Sequence, residues 1–149
     1  MKSRKEAFDD AIHSTRAAVE EGIVPGCGLP LLRAIDAVQE EEARADGDEK
    51  IGLRLVRHAL EAPTRQIAEN SGADGGVVVE RMRTGTGNHG FDAASSRYVD
   101  LVEAGIIDPT KVVRTALENA VSVAGVLLLT EATLTEIPEP RTEHAPSLE

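Results

Sequence analysis

Apolar residues recur at helical spacing along most of this chain. Phe8, Ile12 and Val19 lie four and seven residues apart, which places them on one narrow stripe of a first predicted helix. Gly22 and Pro25 follow, and we expect them to end it, because glycine is common just after a helix and proline cannot continue one. The chain is therefore predicted to begin with a long amphipathic helix.

Two more stripes follow the first. Apolar residues between Leu31 and Val38 predict a second helix, whose far end runs into a charged, solvated connection over residues 40–50. A third stripe extends from Ile51 to Leu60. The first half of the chain is thus predicted to be helical.

The sequence pattern in the middle of the chain predicts secondary structure less clearly. Pro63 is expected in the first turn of a separate short helix that ends near Gly72. Gly75–Met82 fits either a strand or a short helix, because three consecutive valines favour a strand while the charged residues beside them suit a helix. The glycine-rich residues 85–90 predict a hairpin.

The strongest helix signal comes last. Asp108 and Pro109 supply a cap and a first-turn proline for an apolar helix over Val112–Leu127, which we expect to be buried because it is apolar on several sides. The Thr-rich alternation of Thr130–Ile137 predicts a strand that lacks a partner in this sequence and would pair with another subunit. The polar tail, residues 140–149, is expected to be disordered.

Composition narrows the possible functions. With 16 Lys+Arg and 26 Asp+Glu the formal charge is −10, which argues against nucleic acid as a partner. The single cysteine, Cys27, excludes an internal disulfide and a cysteine-based zinc site. The first residues are charged, unlike a secretory signal, and the apolar run at Val126–Leu129 is too short to span a bilayer. We therefore expect a soluble cytoplasmic protein with no membrane partner.

No single motif in this sequence indicates a function by itself. Residues 85–90 match G-x-G-x-x-G, but no alternating strands and helices surround them, so a hairpin is favoured over a dinucleotide loop. The four histidines are scattered, and no metal site is expected. Asp9 and Asp10 suit an acidic face near a helix start. The turn at Pro25–Gly28 precedes a helix, where backbone N–H groups can approach an anion or a nucleotide.

Several long segments, taken together and in order, resemble the bacterial group I chaperonins of the GroEL type. They are DDAIHSTRAAVEEGIVPGCG (9–28), ALEAPTRQIAENSG (59–72), GNHGFDAAS (87–95) and AGIIDPTKVVRTALENAVSVAGVLLLTEATLTEIP (104–138). The resemblance implies a mainly α fold, a helical bundle of the equatorial-domain type (C-terminal half) with a small β-hairpin and a terminal strand. It also implies an intermediate-domain helix segment over residues 1–24, half of an equatorial domain over 25–139, and a disordered tail over 140–149.

The resemblance assigns roles to nine residues. Asp10 matches the aspartate that supports attack of water on the γ-phosphate of ATP, a reaction in which catalysis is mainly positioning and electrostatics. The nucleotide contacts implied are Gly26, Cys27 and Gly28 in the turn, Asp92, Ala93 and Ala94 near the base, and Ile106 and Asp108 beside the base and ribose.

This sequence departs from the family pattern at two of those positions. Cys27 replaces the middle glycine of the turn, which adds a side chain where the backbone approaches the nucleotide. Asp92 replaces the usual Asn and adds negative charge near an anionic ligand. Both changes put the affinity for ATP in doubt.

The resemblance covers a C-terminal portion of a chaperonin subunit. In the family, the phosphate-binding loop and the Mg²⁺-binding aspartate lie in the N-terminal half of the equatorial domain, and clients and co-chaperonin bind the apical domain; the matched segments include none of these. The implied function is a contribution to ATP-dependent protein folding, with Mg-ATP as the nucleotide and ring subunits as partners. The alternative is a structural or oligomerisation module without nucleotide binding or ATPase activity of its own.

Overall fold

The computed structural model describes residues 2–135, with side chains from Lys5 onward. The fold is mainly helical, as predicted. Its elements in chain order are α1 (Lys2–Glu21), β1 (Ile23–Pro25), α2 (Leu29–Arg44), α3 (Gly47–Asn70), α4 (Gly75–Thr84), β2 (His89–Asp92), β3 (Arg97–Asp100), β4 (Ile107–Pro109) and α5 (Thr110–Leu129). The chain divides into two compact units, one ending at Thr115 and the other starting at Ala116.

The core of the first unit lies among α2, α3, α4 and the β2–β3 hairpin. The apolar stripes of the three helices turn inward and remove their side chains from water, which is the main force that favours this packing. The core residues are Cys27, Leu29, Leu32, Ile35, Leu60, Ala68, Val78, Val79, Met82, Phe91 and Leu101.

Two short antiparallel strand pairs complete this unit. β1 pairs with β4, so that Val24 lies opposite Asp108, and β2 pairs with β3 in a hairpin. The first pair joins distant parts of the sequence and positions the candidate site described below.

Pro63 does not begin a separate helix, contrary to the sequence-based prediction. It lies inside α3, which runs without a break from Gly47 to Asn70. The residues of α3 that are buried, Leu60, Thr64 and Ala68, follow a single four-residue repeat across the proline. Packing along this stripe outweighs the hydrogen bond that proline removes from the helix.

The charged connection over residues 40–50 is also mostly helical. α2 continues to Arg44 and α3 begins at Gly47, so only Ala45 and Asp46 connect them. Glu42 at this end of α2 contacts Arg54 and Arg57 of α3, so charged side chains also link the two helices here.

Gly75–Met82 forms a helix, so the strand alternative is wrong. The Asp74 side chain accepts a hydrogen bond from the Val77 N–H at 3.0 Å and caps the first turn. Val78, Val79 and Met82 are buried on one side. Helical periodicity therefore prevails over the strand propensity of three valines.

The predicted hairpin exists, but its turn is Ala93–Ser96 rather than the glycine stretch. Gly85 and Gly87 lie before the hairpin, and Gly90 lies within β2. α4 ends just before residues 85–90 and β2 begins within them at His89, so a helix precedes the strand; a dinucleotide-binding loop has the reverse order.

α5 forms as predicted but is not buried. None of its residues is buried, and Leu128 and Leu129 are each 87% exposed. By length and composition α5 could cross a membrane, although Val126–Leu129 alone is too short to do so. The core helix of a soluble protein can have the same length and composition.

Two predictions at the ends of α5 need correction. The helix begins at Thr110, and Asp108 belongs to β4, so Asp108 does not cap it. Pairing with β1 keeps this segment extended. Thr130–Thr135 form no strand, since no neighbouring strand offers hydrogen bonds there; the remainder of the predicted strand and the tail 140–149 lie outside the described residues.

Candidate functional site

The turn Gly26–Gly28 connects β1 to α2 and has a left-handed backbone at two positions. The φ angle is +56° at Cys27 and +73° at Gly28. Glycine adopts such angles freely, whereas a residue with a Cβ atom pays roughly 1–2 kcal/mol relative to the right-handed region. Cys27 therefore occupies a conformation that suits glycine.

Contacts from two sides hold this turn in place. The Gly26 N–H donates to the Ile106 carbonyl at 2.9 Å, which continues the β1–β4 pairing. On the other side the fully buried Thr64 hydroxyl donates to the Cys27 carbonyl at 2.9 Å. The backbone approaches α3 so closely that a Cβ atom at Gly28 would lie 2.5 Å from Thr64 Oγ1.

Cys27 is buried, with 8% of its surface exposed. Burial, together with the negative charges of Asp108 and Asp92, raises the pKa of its thiol to about 11. The thiol is thus protonated at neutral pH and is a poor nucleophile or metal ligand. The pairing of β1 with β4 brings Asp108 beside the turn, and Phe91 and Ala93, on either side of Asp92, pack in the same core as Cys27.

Asp92 stands at the start of the hairpin turn that contains Ala93 and Ala94. Its carboxylate accepts hydrogen bonds from the Ser95 hydroxyl at 2.6 Å and the Ala94 N–H at 2.9 Å. These bonds lower the pKa of the Asp92 carboxyl. The carboxylate therefore organises its own turn, a role that the sequence did not reveal.

Asp108 lies opposite Val24 in the β1–β4 pair and is half-buried. Burial raises the pKa of its carboxyl, and no hydrogen bond or ion pair among the described residues offsets that burial. A half-buried carboxylate without a donor can accept a hydrogen bond from a hydroxyl group of a ligand.

Asp10 is not brought to this cluster. It is exposed on α1, and at 1.5 Å per residue the twelve residues to Gly22 place it about 18 Å along the helix from the end that precedes the turn. In the described part of the chain no hydrogen bond or ion pair joins it to the turn. The structure thus assembles residues 26–28, Ile106, Asp92 and Asp108 and leaves Asp10 outside.

Thr64 belongs to this cluster and was missed by the sequence analysis. The signal was present: Thr64 is the one polar residue in the buried four-residue repeat of α3. A polar side chain in an apolar stripe needs a hydrogen-bond partner, and here the partner is the turn.

The polar groups of the turn suit an anionic ligand better than a metal ion. Among residues 5–135 no group of three or more His, Cys, Asp or Glu side chains could hold a metal. By contrast, the N–H groups of Cys27 and Gly28 make no hydrogen bond within the described residues, and they lie at the start of α2. Such N–H groups are donors suited to an anionic or carbonyl oxygen.

Comparisons with known proteins agree on one family. The model of the TCP-1/cpn60 chaperonin family matches residues 1–138. The chain is 70% identical to chaperonin GroEL 5 of Bradyrhizobium diazoefficiens over 146 residues, which cover 98% of this chain and 27% of that protein. Its fold is similar to the open-state monomer of a group II chaperonin from Methanococcoides burtonii, with a TM-score of 0.74, 25% identity, and coverage of 87% of this chain and 33% of the other.

Proposed function

Because the chain belongs to the TCP-1/cpn60 chaperonin family, we propose that it is part of an ATP-dependent subunit that assists protein folding and that it contributes part of the ATP site. The observation that supports this most is the β1–β4 pairing, which brings the Gly26–Gly28 turn beside Ile106 and Asp108. The chain spans 27% of the length of its GroEL-type relative, so the activity of a whole subunit belongs to this proposal.

Each part of the cluster has a role in the proposal. The free N–H groups of the turn donate to the nucleotide, and Asp108 accepts a hydrogen bond from a ribose hydroxyl. Asp92, Ala93 and Ala94 border the base. Mg-ATP would supply the phosphoryl group that is hydrolysed, and in the family the phosphates and the metal are held by the N-terminal half of the equatorial domain.

Asp10 requires movement in this proposal. Its carboxylate is exposed on α1, and supporting the attack of water would require α1 to bring it to the phosphates. The helix segment 1–24 would then act as an intermediate-domain lever on the 25–139 equatorial portion. Ring assembly with further subunits, contact with clients and co-chaperonin through an apical domain, and a cytoplasmic location complete the proposal.

Calorimetric titration with ATP and Mg²⁺ tests the nucleotide site. We expect saturable binding that Asp108→Ala weakens about tenfold, because alanine has no oxygen to accept the hydrogen bond. Asp36→Ala, on the exposed side of α2, is the matched control and should bind as the wild type does. Asp10→Ala should bind normally, and any ATP hydrolysis seen in the wild type should be lost in it. Equal binding by Asp108→Ala and the wild type would contradict the proposal.

A structural or oligomerisation role without nucleotide binding is the second candidate. The observation that favours it is the exposed apolar surface of α5, where Val121, Val123 and Val126 are each more than half exposed. Absence of ATP binding by the folded chain, together with self-association, would support this role instead.

A further inference from the structure

The three carbonyl groups of the Gly26–Gly28 turn are satisfied in different ways. The Gly26 carbonyl accepts from the Leu29 N–H, and the Gly28 carbonyl accepts from the Leu31 N–H, each from a residue three positions later. By the same spacing the Cys27 carbonyl would accept from residue 30. That residue is Pro30, which has no N–H group to donate.

Thr64 supplies the missing donor. Its hydroxyl donates to the Cys27 carbonyl at 2.9 Å, and Thr64 is fully buried, so water does not replace it. Within the described residues the Cys27 carbonyl has no other partner. A threonine in a helix often bonds the carbonyl four residues earlier in its own helix, but here the hydroxyl is directed to the turn.

This hydrogen bond also fixes the direction of an N–H group. The peptide between Cys27 and Gly28 is planar and trans, so its C=O and N–H point in opposite directions. Since the carbonyl points to Thr64 on α3, the Gly28 N–H points away from α3. That N–H is one of the two free donors at the candidate nucleotide site.

We propose that Thr64 is the positioning residue of the nucleotide-binding turn: its buried hydroxyl replaces the N–H that Pro30 lacks and thereby orients the Gly28 N–H toward a nucleotide oxygen. The nucleotide part of this inference rests on the proposed function. The part that concerns the turn stands on the contacts of Thr64 alone, and the experiment separates the two.

The experiment compares Thr64→Val, which keeps the shape and removes the hydroxyl, with Thr64→Ser, which keeps the hydroxyl. Two readouts report on the turn without any nucleotide: the amide NMR shift of Gly28 and the alkylation rate of the buried Cys27 thiol, which reacts only when the turn opens. We expect Thr64→Val to move the Gly28 resonance and to raise the alkylation rate about tenfold, because an orphaned buried carbonyl favours opening. Thr64→Ser should restore both.

Two controls sharpen the result. Thr84→Val removes a hydroxyl that bonds carbonyls of its own helix away from the turn, and it should leave both readouts unchanged. Pro30→Ala/Thr64→Val returns an N–H to residue 30 and should bring both readouts back toward the wild type. If Thr64→Val fails to fold, recovery of the fold in this double variant supports the proposal, and continued failure overturns it.

Nucleotide titration of the same variants completes the test. If the wild type binds Mg-ATP, Thr64→Val should bind about tenfold more weakly and Thr64→Ser like the wild type. If the wild type binds no nucleotide, the proposed function fails, while the Gly28 and Cys27 readouts still decide the role of Thr64 in the turn. A folded Thr64→Val with wild-type readouts for Gly28 and Cys27 would overturn the inference, as would a folded Thr64→Ser that restores neither.

Discussion

At the scale of single residues, two adjacent positions of the turn differ. Position 28 requires glycine, whereas position 27 can also accommodate a side chain. Gly28 has a left-handed backbone and lies against Thr64, so both conformation and space exclude a Cβ atom. Cys27 has the same left-handed backbone, but its side chain packs in the core. The turn therefore forms with Cys27 in it, while the effect of Cys27 on the affinity for ATP stays a prediction.

Gly28→Ala tests this difference. The new Cβ atom would lie 2.5 Å from Thr64 Oγ1 and 3.1 Å from the Thr64 nitrogen, and we expect a loss of about 2–4 kcal/mol in the free energy of unfolding. Urea denaturation measures this change.

Gly52→Ala is the matched control, because Gly52 lies inside α3 and, apart from its own stretch of helix, no atom lies within 4 Å of the added Cβ. It should stabilise the chain by about 0.5–1 kcal/mol, since alanine loses less conformational entropy in a helix. Equal effects of the two substitutions would contradict the close approach at Gly28.

At the scale of elements, arginine–carboxylate contacts join helices that the apolar stripes bring together. Glu42 on α2 accepts a hydrogen bond from Arg54 Nε at 2.7 Å and lies 3.6 Å from Arg57 Nε, both on α3. The hydrogen bond from Arg54 lowers the pKa of the Glu42 carboxyl. The contribution of the α2–α3 contact to the stability of the fold therefore depends on pH.

The sign of this linkage follows from the lowered pKa. Ionised Glu42 stabilises the fold at pH values above its unfolded-state pKa, and this contribution is lost as the pH falls through the lower folded-state pKa. Thermal unfolding between about pH 5 and pH 3 should therefore show a shallower loss of stability in Glu42→Gln than in the wild type. Glu40→Gln, on an exposed part of α2, should keep the wild-type pH dependence; identical slopes for all three proteins would argue against the linkage.

The sequence predicted those elements whose signal is local. Helical periodicity located α1, α2 and α5, because each carries its own apolar stripe. β1 and β4 were not predicted, since three-residue strands depend on a partner far along the chain and leave no repeating pattern. The continuity of α3 through Pro63 was also hidden, because it depends on tertiary packing of the buried stripe.

The candidate site was predicted only in part. The resemblance to chaperonins indicated the turn, Ile106, Asp108 and residues 92–94. In the fold, β4 lies beside the turn, and the neighbours of Asp92 share a core with Cys27. The resemblance did not indicate Thr64, whose role depends on a contact across 37 positions of the sequence. Roles in nucleotide binding and the domain boundaries at 24 and 139 stay predictions.

At the scale of the whole molecule, the main departure from expectation is the exposure of α5. An apolar helix predicted to be buried has no buried residue in the described part of the chain. Exposed apolar surface of this extent favours association, because it can be removed from water only by another surface.

We therefore expect the chain to self-associate reversibly. Sedimentation velocity over a wide concentration range should show species larger than the monomer, and Val121→Lys/Leu128→Lys should shift them toward the monomer. The control Ala7→Lys/Ser14→Lys places the same charges at the same spacing on exposed positions of α1 and should leave association unchanged. A strictly monomeric wild type would contradict this expectation.

The pairing of β1 with β4 has a consequence for the order in which the molecule can form. Val24 and Asp108 are 84 positions apart (108 − 24), so this pair closes a long loop whose entropy must be lost before the contact is gained. During synthesis, α2, α3 and α4 can pack while residue 108 has not yet been added. The turn at residues 26–28 therefore gains its contact with Ile106 after its contact with Thr64. The candidate site is among the final parts of the nascent chain to take its native form.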